Sequence, residues 1–127
     1  MLVVLNNKCN FNLDEYLDYQ NKLKNFNFKN DIVLCPSSIY LSNFELENVF
    51  LGSQNVSPFN DGAYTGEVSA RQLKSLNVKY CLVGHSERRV YFKENNEIMK
   101  NKIEQLLEKK ITTGKVIELF YITSFNI

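Results

Sequence analysis

Cys81-Leu82-Val83-Gly84-His85-Ser86-Glu87-Arg88-Arg89 is the most informative stretch of this 127-residue chain. A short apolar run stops at Gly84, the only histidine follows at once, and then come a serine and a run of charge. This is the pattern of a buried strand that delivers polar side chains to its C-terminal mouth, where α/β proteins place their chemistry.

Outward from that stretch the chain alternates between strand and helix signals. Leu2-Val3-Val4-Leu5 favours a strand and runs into Asn6-Asn7-Lys8. Asn12 with Glu15 forms a capping box, and Leu13, Tyr16, Leu17 and Leu23 recur at helical spacing, which predicts a helix from about Leu13 to Asn25. Asp31 to Cys35 is a second strand stopped by Pro36, Ser37-Ser38 opens a short helix through Asn43, and Val49-Phe50-Leu51 is a third strand. Gly, Pro, Asn and Asp cluster between Gly52 and Gly66, a loop. Ser69 with Gln72 caps a helix to Leu76, and Tyr80 to Val83 is the fourth strand. Met99, Ile103, Leu106, Leu107 and Ile111 mark a longer helix whose outer face is lysine-rich. The β-α-β-α-β-α-β-α order, with continuous apolar strands, predicts a parallel sheet with right-handed crossovers. On pattern alone, a flavodoxin-like sheet and part of a β/α barrel both fit. Neither a Gly-rich dinucleotide fingerprint nor a P-loop follows a strand.

Composition narrows the function classes. With 44% apolar residues, 23% charged residues and a net charge of +1, the sequence describes an ordinary globular domain and argues against a dedicated nucleic-acid binder. Cys9, Cys35 and Cys81 are far apart and odd in number, and one histidine cannot complete a Cys/His zinc set of ordinary spacing. Free thiols suit a reducing cytosol. Leu2 to Leu5 is too short for a signal peptide, and Val116 to Phe125 is too short to span a membrane, so the expected setting is cytoplasmic, with no membrane partner.

Taken singly, the polar residues near the strand ends have bland readings. Lys8 is a solvated loop lysine, His85 a structural histidine at a strand end, and Glu87 with Arg88 a surface charge pair. Their neighbours change this. The stretch around His85 closely resembles the signature of triosephosphate isomerase, and Asn6-Asn7-Lys8-Cys9-Asn10 resembles that family's first-strand motif, with Asn7 where the family has Trp. Gln54-Asn55-Val56-Ser57 and Asp61-Gly62-Ala63-Tyr64-Thr65-Gly66-Glu67-Val68-Ser69 form a third match, in order and spacing.

The resemblance implies a fold, an activity and roles. The fold is α/β, a partial (β/α)8 barrel of about four βα units spanning residues 1–112, with 113–127 a divergent or deletion-joined tail. The activity is interconversion of dihydroxyacetone phosphate and glyceraldehyde 3-phosphate, in glycolysis and gluconeogenesis, with no metal or organic cofactor. Asn6 and Lys8 bind the triose phosphate, and Lys8 also stabilises charge that develops in the reaction. Glu87 orients Lys8. His85 is a neutral electrophile that polarises the substrate carbonyl, a mechanism for which triosephosphate isomerase is itself the usual illustration. Thr65, Glu67 and Arg88 lie at a homodimer interface, with Glu67 pairing to Arg88 of the partner subunit.

The resemblance also has an edge. Thr113-Gly114-Lys115-Val116-Ile117-Glu118-Leu119 resembles the opening of the helix that follows the family's fifth strand, so that strand and its loop are expected to be skipped. A barrel of this family has eight units in about 250 residues, and no glutamate here matches its proton-abstracting base. The glycine-rich phosphate loops are likewise unmatched. The chain is therefore expected to be an incomplete isomerase, association-prone, with strands one and four as open edges. Its alternative is a non-catalytic half-barrel that serves as a binding or interaction protein, or a remnant.

Overall fold

The computed structural model describes residues 1–115, with backbone alone for 113–115. The expectation of strand or helix over Val116 to Phe125 lies outside the described residues. Among the described residues five strands form one sheet: β1 (Leu2–Asn6), β2 (Asp31–Cys35), β3 (Phe50–Ser53), β4 (Tyr80–Val83) and β5 (Thr112–Lys115). Between them run α1 (Leu13–Lys24), a 3-10 helix (Ser38–Asn43), α2 (Ala70–Ser75), α3 (Ser86–Tyr91) and α4 (Asn96–Glu108).

Strand order decides between the two architectures left open by the sequence. Every adjacent pair is parallel, and the order is β1-β2-β3-β4-β5, each strand beside its neighbour in the chain. A doubly wound sheet reverses direction at a switch point; a β/α barrel does not. The helices accordingly pack on one face only. Leu5, Ile32 and Leu34 meet Tyr16 and Leu23 of α1, while Leu51, Cys81 and Val83 meet Leu73 of α2 and Leu106 of α4. The alternate strand positions point to the other face, where Val33, Cys35 and Leu82 pack with Leu2, Val4 and Tyr80. Both faces of β2 are thus buried, which is why Asp31 to Cys35 is apolar almost throughout. Gly52 permits the tight inner face: a Cβ there would lie 2.5 Å from Cys35 Sγ and 2.6 Å from Val33 Cγ1.

Local signals hold closely. Asn12 accepts from Glu15 N–H at 2.9 Å and Glu15 reaches back to Asn12 N–H, so the expected capping box opens α1. Ser69 and Gln72 do the same for α2. Two expectations need correction. A fifth strand is present: Thr112 pairs with Tyr80 and Lys115 with Val83, so β4 is covered and, among the described residues, β5 is the outermost strand on that side. Buried Ile111 leads straight into it, anchored by its N–H to Leu106 O at 2.9 Å. The outer face of α4 is also rotated from the one expected. Lys102 is 2% exposed whereas Leu107 is 61% exposed, because the stripe 99, 102, 106 faces the sheet.

Candidate functional site

The C-terminal ends of β1, β3 and β4 converge on a cleft of about 340 Å³ whose walls include Asn6, Lys8, Gln54, Asn55, His85 and Glu87. Each side chain is delivered by a strand end. β1 stops at Asn6, and Lys8 follows with a left-handed backbone, φ 53°. Beyond β4, Gly84 turns the chain with φ 75°, a conformation that favours glycine, and a Cβ there would meet Met99 Sδ of α4 at 2.6 Å. That turn places His85 as the N-cap of α3.

His85 is 6% exposed, and its Nδ1 accepts the Glu87 N–H at 3.2 Å. An acceptor at Nδ1 uses the lone pair there, which leaves Nε2 as the ring position that can donate. Glu87 bridges the cleft. Its Oε1 accepts from Lys8 Nζ at 2.7 Å, and its Oε2 lies 3.5 Å from His85 Nδ1. The hydrogen bond from Lys8 holds the Glu87 carboxyl below the usual carboxylate range, against a smaller opposing effect of burial. Ammonium, carboxylate and imidazole thus form one chain of contacts at one end of the sheet, although Lys8 and Glu87 are 79 positions apart.

The loop between β3 and α2 is braced at its base by Ser57 N–H on Val68 O at 2.8 Å. Phe59 and Tyr64 stack with centroids 4.4 Å apart, and Arg71 pairs with Asp61. Thr65 is exposed on this loop and Glu67 borders the cleft. Arg88 bonds Glu94 of its own chain and stacks on Phe92, 4.6 Å from the ring centroid.

Sequence reasoning missed a second ionic group beneath the cleft. Lys102 bonds Glu94, and its Nζ also donates to Asn55 Oδ1 at 2.7 Å. Burial pushes the Glu94 carboxyl up, but the bonds from Lys102 and Arg88 outweigh it and the carboxyl lies below its ordinary range. For Lys102, burial lowers the ammonium against the upward pull of Glu94. A signal was available, since Lys102 falls on the buried stripe of α4 between Met99 and Leu106. Asn7, where the resembled motif has Trp, donates its backbone N–H to Cys35 O at 3.1 Å.

The sequence model of the triosephosphate isomerase family matches residues 1–114. The chain belongs to the triosephosphate isomerase family. It is 38% identical over 116 residues to the triosephosphate isomerase of Alkaliphilus metalliredigens, an alignment covering 87% of this chain and 47% of that protein. To the triosephosphate isomerase of Mycoplasmopsis pulmonis it is 36% identical over 121 residues, covering 85% and 49%. The protein of the same name from Dictyoglomus turgidum is 44% identical over 85 residues, covering 64% and 34%. The chain therefore spans between about a third and a half of the length of these triosephosphate isomerases. Among the described residues, no helix is long and apolar enough to cross a membrane.

Proposed function

We propose that this chain carries the electrophilic part of a triosephosphate isomerase site, acting on dihydroxyacetone phosphate and glyceraldehyde 3-phosphate in the cytoplasm as part of glycolysis and gluconeogenesis. One observation carries the reading: an imidazole whose Nδ1 accepts a backbone N–H lies in the same cleft as an ammonium held by a carboxylate. In the reaction a proton leaves one carbon of the triose and returns to its neighbour through an enediolate. His85 Nε2–H donates to the carbonyl oxygen as negative charge grows there, and Lys8 offsets that charge, aided by the low dielectric of a partly closed cleft. Asn6 binds the substrate beside Lys8, and Glu87 aims the ammonium. The carboxylate that takes the proton is assigned to none of these residues. General-base catalysis is worth roughly 10² to 10⁴ in rate, so turnover by these residues alone is expected to be very slow.

A homodimer through Thr65, Glu67 and Arg88 belongs to the same proposal. Its support is the braced loop that presents Thr65 and Glu67 to solvent at the mouth of the cleft.

The test is a coupled isomerase assay on the 127-residue chain, alone and mixed with the C-terminal part of a full-length relative, with His85→Gln as the control. Turnover that appears on mixing and vanishes in the control supports the proposal. A folded mixture with no turnover above the control overturns it.

A further inference from the structure

The geometry points to Gln54 as a positioning residue that fixes the direction of Lys8. Lys8 is a side-chain-bearing residue in the left-handed region, φ 53°, a conformation uncommon outside glycine and sustained only where the surroundings over-determine it. Here both peptide groups that flank its Cα are held by side chains. The Lys8 N–H donates to Asn6 Oδ1 at 3.0 Å, and the Lys8 carbonyl accepts from Gln54 Nε2 at 2.8 Å. The same Gln54 nitrogen donates to Cys35 O at 3.0 Å.

One carboxamide at the end of β3 therefore ties together the ends of β1 and β2. The Asn6 contact holds the peptide before Lys8, and the Gln54 contact holds the peptide after it. If that carbonyl is released, Lys8 can relax to negative φ. Its Cβ then swings, and Nζ leaves Glu87. Gln54 touches neither the reacting atoms nor Glu87 in this scheme; it acts through the Lys8 backbone. The inference deepens the proposed function and rests on Lys8 being the cation that meets the triose phosphate.

The experiment compares wild type, Gln54→Met and Lys8→Met in the 127-residue chain. Gln54→Met keeps the side-chain length and removes both donors. Two quantities are read: the titration midpoint of the Glu87 carboxyl by carbon NMR, and the affinity for dihydroxyacetone phosphate by NMR titration. Gln54→Met is expected to move the Glu87 midpoint upward, towards its position in Lys8→Met, and to weaken triose binding about 10-fold or more. A staple that merely stiffens the strand ends would leave the Glu87 midpoint where it is, and that result overturns the inference. Unchanged triose binding in Lys8→Met would instead remove the substrate role of Lys8, while the Glu87 midpoint still decides whether Gln54 aims it. Where Gln54→Met does not fold, Gln54→Asn, whose amide falls one methylene short, carries the same comparison.

Discussion

Two lysine–glutamate pairs lie a few residues apart in this fold and differ chiefly in their access to water. In the cleft, Lys8 and Glu87 have side chains 33% and 43% exposed; beneath it, Lys102 and Glu94 are 3% and 5% exposed. An exposed pair gains little from its own attraction, roughly 0 to 1 kcal/mol, and can exchange its partner for a ligand at small cost. A buried pair cannot. Once both charges are out of water, each depends on the other, and removing one strands its partner. The first arrangement suits chemistry and the second suits architecture. Arg88, adjacent in sequence to Glu87 and bonded to Glu94, joins the two.

The largest expected effect breaks the buried pair. Glu94→Leu leaves Lys102 and Arg88 without their shared acceptor and should cost about 3–5 kcal/mol in urea unfolding. The double replacement Glu94→Leu with Lys102→Met removes both buried charges and should lose less than Glu94→Leu alone. Equal losses in single and double variants would mean that packing, and not stranded charge, sets the cost.

Next is Gly84→Ala, which combines a left-handed backbone with a contact on Met99 and should destabilise by about 1–3 kcal/mol. Because the turn also places His85, the His85 ring resonances should shift along with the unfolding midpoint. A silent substitution on both counts would show that the turn is not fixed by Gly84.

Acid then separates the two carboxylates. Both lie below the usual range when folded, Glu87 through the bond from Lys8 and Glu94 because its two cations overcome burial. The unfolded chain therefore binds more protons, so this stability is complete above about pH 4.3 and drains as pH falls through the folded values. Glu94→Gln should flatten that decline markedly and Glu87→Gln only slightly. Urea midpoints collected between about pH 7 and pH 2.5 decide it; equal slopes in the two variants would erase the distinction drawn from exposure.

The smallest effect on stability belongs to Lys8→Met, under about 1 kcal/mol. The same substitution should give the largest loss of triose binding. Thermal and urea unfolding beside a dihydroxyacetone phosphate titration provide the check.

How far the sequence revealed this molecule followed the range of the interaction concerned. The capping boxes at Asn12 and Ser69 are written within four residues, and both formed. β4 begins and ends where the apolar run of Tyr80 to Val83 does. The gathering of Asn6, Lys8, His85 and Glu87 at one sheet end was legible because parallel strands send all their C-termini the same way. β5 was not. Thr112-Thr113-Gly114-Lys115 lacks an apolar run, and its pairing comes from the open flank of β4. Lys102 was misplaced because lysine is almost never fully buried unless paired, and its partner Glu94 lies eight positions away, outside its own helix. Gln54 sat inside a quoted motif, yet its two acceptors are backbone carbonyls, which no side-chain pattern reports.

The three thiols give this chain a built-in gauge of its own opening. Cys9 is exposed, while Cys35 and Cys81 are buried on opposite faces of the sheet. Burial pushes the Cys81 thiol up to about 12 and raises that of Cys35 as well, so neither offers a thiolate while the sheet is closed. An alkylating reagent should therefore take one label at once and the other two only as fast as the sheet opens. Mass spectrometry of the partly labelled population would then time the inner and outer layers separately, with no probe added to the protein.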